Sequence, residues 1–179
     1  VSGIIAAEWN GFGTSGVANG VKILPVRLCD AEGLDTLDNV RKAYQYLSAA
    51  VDNGLNLIAI NNSWGDQEMY GELNDLVTEL GKKGVISVFS SGNASRNTDQ
   101  TPRLASGLKD NPYAIVVNSS ARDGTRSTKS NWGDGTTDLY APGQDILSTL
   151  SKDGVKESGR TMYLADFDKN AQYPASVQS

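Results

Sequence analysis

The sequence contains no histidine. Histidine is the usual general base near neutral pH and the commonest metal ligand. These 179 residues therefore hold neither a histidine-based proton relay nor a His-bearing zinc site. Cysteine occurs once, at Cys29, which excludes an internal disulfide and leaves the redox compartment open. Placed on or just after an apolar run, Cys29 reads as a small buried residue rather than a nucleophile. An excess of positive charge is also missing. The formal charge is −5, so no nucleic-acid partner is expected. No apolar run approaches the roughly 20 residues of a membrane span. Residues 1–7 are small and mostly apolar without a basic lead-in, and are not expected to act as a secretion leader.

Apolar residues at 39% and charged residues at 21% are the proportions of a globular chain. The length suits one domain with a substantial core. Residues 22–28 (KILPVRL) read as a buried strand, with Pro25 where a missing N–H does not matter. Val40, Ala43, Tyr44, Leu47 and Val51 then repeat at helical spacing, predicting a helix over 37–52 that ends near Gly54. Residues 57–61 (LIAIN) predict a second strand, and Leu73, Leu76, Val77 and Leu80 a second helix closed by Gly81 and Gly84. Two more strands are predicted over 85–89 (VISVF) and 114–117 (AIVV). Strands alternating with helices imply an α/β fold on a parallel sheet. From Ser151 the pattern weakens, and 166–179 has no clear period.

Open parallel sheets bind ligands beyond the carboxyl ends of their strands. Asn62-Ser63-Trp64-Gly65 follows one predicted strand and Ser90-Ser91-Gly92-Asn93 another. Gly-Asn is also a common turn pair, and a tryptophan at a strand end also fills cores, so the residues alone leave both roles open. Further along stand Ser130-Asn131-Trp132-Gly133, Asp138-Leu139-Tyr140-Ala141-Pro142-Gly143, and then residues 145–149 (DILST).

In this order the segments resemble the subtilisin-like serine proteases. The strand ends resemble that family's "SWG" and "AAGN", and the later segments its "SNYG" and "AAPG". Residues 1–7 resemble the helix after the family's histidine motif, and Gly16-Val17-Ala18 the close of its "GVAP" loop. Residues 26–35 resemble "VKVLDxxGxG". The resemblance spans about residues 1–150. It implies the three-layer parallel-sheet fold truncated at both ends, with 1–150 the central part of a peptidase domain. Residues 151–179 would be an atypical loop, an insertion or a degenerate nucleophile region.

By the same resemblance, Asn93 is the oxyanion-stabilising amide. Ser63, Trp64 and Gly65 form one substrate-binding strand and Gly33, Leu34 and Asp35 the other, so a polypeptide substrate would add a strand between them. Asp35 stands where the family often has glycine, and also reads as a solvated turn carboxylate. Ser90, Ser91 and Gly92 would form a pocket wall, and Arg103-Leu104-Ala105 matches a second wall without its proline. Asn10, Phe12 and Thr14 occupy a loop that binds calcium in many members. Calcium takes six to eight oxygens and this loop has no carboxylate after Glu8, so a plain surface loop is expected here, with calcium left to the parent protein.

The family's aspartate and histidine are expected before Val1. Its serine is expected beyond Ser179, or is replaced by Thr161 within Ser158-Gly159-Arg160-Thr161-Met162. The chain alone is thus expected to be inactive, a piece of an extracellular or cell-surface endopeptidase that tends to self-associate. A pseudoprotease used for binding is the first alternative. An unrelated α/β ligand-binding domain is the second, and would leave Ser63 and Asn93 far apart.

Overall fold

A computed structural model describes residues 1–11, 13–29, 36–64 and 71–149. Gly33, Leu34, Asp35, Gly65, Phe12 and the stretch holding Thr161 lie outside the described residues. The chain divides into two compact units, Val1–Pro25 with Asp145–Ser179, and Val26–Gln144.

The first unit begins with a short helix, α1 (Ser2–Ala6). The following loop folds back on it through Gly16 N to Ala7 O (2.8 Å), Val17 N to Ile4 O and Ala18 N to Ile5 O (both 2.9 Å). Trp9 Nε1 donates to Gly16 O at 2.7 Å. Gly3 is buried against the 148–149 backbone and hydroxyls so closely that a Cβ would overlap Thr149. The run 145–149 is thereby tied to α1.

In the second unit, Thr36 opens helix α2 (Leu37–Asp52) by accepting a hydrogen bond from Asn39 N. Such a cap is worth about 1 kcal/mol. The helix buries Val40, Ala43, Tyr44 and Leu47, the stripe expected from the spacing, and ends where Gly54 takes φ +92°. Strand β1 (Ala59–Asn62), helix α3 (Gly71–Lys82) and strand β2 (Ile86–Ser90) follow, then a 3-10 turn, Ala105–Leu108, and strands β3 (Ala114–Ser120) and β4 (Leu139–Pro142).

The four strands lie in sequence order β1-β2-β3-β4, all parallel. Their register sets Asn62 beside Phe89, Ser90 beside Val117 and Ser120 beside Pro142, which brings the carboxyl ends to one edge. Val40, Tyr44 and Leu47 of α2 meet Leu73, Val77 and Leu80 of α3, with Val85, Phe89, Leu104, Leu108 and Val116 completing the core. The parallel α/β architecture expected from the sequence is the one found.

Two expectations are corrected. Residues 22–28 form no strand, and Ile23 and Leu24 are exposed. Extended apolar sequence needs a neighbour to bond to, and no ladder reaches this segment among the described residues. Pro25 removes one donor besides. Cys29, just after it, is half-buried rather than buried. In contrast, 139–142 does pair as strand β4, which its motif did not announce.

Candidate active site

Parallel register puts the loops after β1 to β4 side by side, and they enclose a cleft of about 240 Å³. Asn61 and Ser63 line it from β1, Ser90, Ser91, Gly92 and Asn93 from β2, and Val117, Asn118 and Ser119 from β3. Ala141, Pro142 and Gly143 close it beside β4. None of the lining residues is charged. Ser63 and Asn93 therefore share one cleft, which the unrelated-domain alternative did not predict.

The turn after β2 is built for exposure of Asn93. Gly92 takes φ +102°, a conformation that side chains disfavour and glycine adopts freely. The chain then leaves the sheet, with Ser91 buried behind it and Asn93 exposed. The turn is braced by fully buried Asn131. Its N–H donates to Gly92 O at 2.9 Å, and its Nδ2 donates to Ser91 O at 2.8 Å. Its Oδ1 accepts from Ala94 N and Arg96 N, both at 3.0 Å. Beyond it the two segments run together, Trp132 N donating to Arg96 O and Thr98 N to Trp132 O.

Trp64 takes a different place from Ser63. Its indole packs against the core, edge-on to Phe89 with ring centres 6.2 Å apart, and it does not line the cleft. Its Nε1 donates to Asn62 Oδ1 at 3.0 Å, an oxygen that also accepts from Tyr44 OH at 3.3 Å. Burial pushes the Tyr44 phenol up to about 12, the hydrogen bonds to Ser87 and Asn62 opposing that shift. Of the segment matched to a second wall, Leu104 is taken into the core, and neither it nor Arg103 lines this cleft.

On the β3 side of the cleft, Asn118 is 1% exposed and donates through Nδ2 to Thr137 Oγ1 at 2.8 Å. Its Oδ1 and the Ser119 hydroxyl are buried without a partner. Sequence reasoning passed over these two residues and gave Asn131 no role. The only signal for Asn131 was its place in the "SNWG" segment. Among the described residues no three Asp, Glu or Cys side chains gather as a metal site would require.

A parallel α/β sheet with an uncharged cleft at its carboxyl edge is the architecture of an enzyme or binding domain. The sequence model of the subtilase family, peptidase S8, matches residues 1–176. The chain belongs to the subtilase family. Subtilisin-like protease 3 of Arthroderma benhamiae is 30% identical over 152 residues, covering 83% of this chain and 36% of the relative. Alkaline protease 1 of Emericella nidulans is 33% identical, over 83% of this chain and 34% of its own length. Alkaline elastase YaB of a Bacillus species is 29% identical, over 86% and 38% respectively. Among solved structures, a cold adapted subtilisin-like serine proteinase superposes with a TM-score of 0.60 at 27% identity, covering 74% of this chain and 45% of that one. The chain spans about a third of the length of the curated relatives it matches.

Proposed function

We propose that this chain is the central part of a serine endopeptidase domain, supplying the substrate-binding edge and the oxyanion donor. The aspartate, histidine and nucleophilic serine are supplied by other parts of the full-length protein. The observation that carries this reading is the exposed Asn93 at the mouth of the cleft, with no partner for its side chain among the described residues and Ser63 on the same cleft.

In peptide hydrolysis a serine oxygen adds to the scissile carbonyl carbon, and the carbonyl oxygen becomes an anion. A donor aimed at that oxygen lowers the barrier because charge appears there only in the transition state. The Asn93 amide suits this role, being neutral and unable to lose its proton at working pH. Ser63 and Gly65 would hold the substrate backbone on one side, and Gly33, Leu34 and Asp35 on the other. Ser90, Ser91 and Gly92 would bound the pocket. A base is still required, and a chain without histidine cannot provide the usual one. The substrate is a polypeptide and the setting extracellular, both taken from the family. No helix among the described residues is long and apolar enough to cross a membrane. The outer strands β1 and β4 leave Leu139 and Tyr140 exposed, and Ile58 just before β1, which supports self-association of the isolated piece.

A fluorophosphonate probe is expected to label the full-length protein and leave this chain unlabelled. Asn93→Ala in the full-length protein is expected to lower kcat by about 10²–10³, a value carried over from subtilisin itself. Labelling of this chain alone, or an unchanged kcat in Asn93→Ala, sinks the proposal. A full-length protein that resists the probe favours the pseudoprotease reading, which rests on Thr161.

A further inference from the structure

Asn93 is only as useful as its placement, and nothing in its own side chain fixes that placement. The loop carrying it leaves the sheet through a glycine at φ +102° and passes Ser95 at φ +50°. Such a turn has other conformations within reach. What holds it lies 35 to 40 residues downstream in sequence. Asn131 is 0% exposed and reaches the loop on both sides of Asn93. Its side chain bonds Ser91 O before it, and Ala94 N and Arg96 N after it. Its backbone N–H takes Gly92 O, and its carbonyl accepts from the Ser91 and Ser130 hydroxyls at 3.4 Å and 2.8 Å.

We propose that Asn131 is a positioning residue that sets the Asn93 amide at the oxyanion position. This rests on the oxyanion reading above. Only an uncharged carboxamide meets the whole set. One atom must accept twice, from Ala94 and Arg96, while the other donates to Ser91 O. A carboxylate accepts on both oxygens and would face Ser91 O with a lone pair. A serine is too short to span both sides. Without the side chain, two partly buried N–H groups and one buried carbonyl lose their partners, and the loop must shift or take in water to recover them. Because the backbone bond from Asn131 to Gly92 survives any side-chain change, the loop stays tethered while its register loosens. Asn93 is displaced rather than lost. Misplacing a catalytic group by about 1 Å can cost on the order of 10²-fold. Asn131 is fully buried and does not line the cleft, so its effect must pass through Asn93.

That dependence gives the test. Asn131→Ala and Asn131→Asp are made in the full-length protein, alone and with Asn93→Ala. Each variant is assayed for kcat, KM, thermal unfolding, and binding of a peptide aldehyde against a plain product peptide. Asn131→Ala is expected to lower kcat by about 10- to 100-fold with KM changed less than about 2-fold. Aldehyde binding should weaken in parallel and product binding should not. Added to Asn93→Ala, it should cost less than about 2-fold more, since a donor already removed cannot be misplaced. Asn131→Asp keeps the two acceptor bonds and should show the same pattern with a smaller loss, which covers the case where the alanine variant does not fold. If the two losses multiply, or the melting point falls while kcat holds, Asn131 is only structural and the assignment fails. An unchanged kcat in Asn93→Ala overturns the oxyanion reading itself, a different failure from multiplied losses.

Discussion

Gly81→Ala sets two computable effects against each other. Gly81 lies in the last turn of α3 and is buried. Alanine there should favour the helix by about 0.5–1 kcal/mol over glycine, and somewhat less so near its end. Against this, the added methyl would overlap Cβ, Cγ and Cδ2 of Tyr113, all closer than real Cβ contacts come. Cβ and Cγ lie on the axis about which the ring turns, so ring rotation does not clear them. Either the backbone before β3 or the helix end has to move. Overpacking of this kind costs about 1–3 kcal/mol. The packing term exceeds the helix term, and a net destabilisation of about 1–2 kcal/mol is expected. At about 2–4 °C per kcal/mol the melting point should drop by several degrees. Thermal unfolding of the full-length protein measures it. In a Tyr113→Gly background all three overlapped atoms are gone, and Gly81→Ala should become neutral or stabilising. A melting point unchanged or raised by Gly81→Ala alone refutes the reasoning, as does an equal loss in both backgrounds.

Tyr44 provides a test in alkali. Its folded-state value is pushed up to about 12 by burial, against about 10 for a free tyrosine. Above pH about 10 the unfolded chain loses a proton that the folded chain keeps, so stability should fall as pH rises towards 12, by up to ~3 kcal/mol. Urea unfolding across this range, compared with Tyr44→Phe, reads the difference, and an equally steep loss in the phenylalanine variant counts against it. Asp99 provides the opposite case. Hydrogen bonds from Thr136 Oγ1, then from the Gly135 and Asp134 backbones, hold its carboxyl below the ordinary aspartate value. Its contribution is complete above that ordinary value and is lost as pH falls through the lower folded one. Asp99→Asn should lower the melting point at neutral pH and flatten this acid dependence. Unaltered melting at neutral pH would show that the clasp around 133–136 does not depend on the carboxylate.

Periodicity was a reliable guide where local forces suffice. The stripe of Val40, Ala43, Tyr44 and Leu47 specifies one buried face whatever packs against it, and α2 runs over Leu37–Asp52 as the spacing predicts. Likewise the apolar runs at 85–89 and 114–117 became β2 and β3, within one residue at their starts. The run at 22–28 is also mostly apolar yet forms no strand, because a strand is a relation between two segments and composition describes only one. Trp64 shows the same limit. Its neighbours Asn62 and Phe89 decide that the indole belongs to the core while Ser63, one residue before, faces the cleft.

The sequence by itself determined the family, the parallel α/β plan and the absence of a histidine base, since each depends on residue order or composition alone. It also singled out Asn93 within a recognisable turn. Only the tertiary structure decided that Asn93 and Ser63 open onto one uncharged cleft, and that Asn131 braces the turn from some 40 residues away. Hydrogen bonds between distant segments depend on the register of β1 to β4 and on which polar atoms the fold shuts off from water. Neither is written in the spacing of residues along the chain.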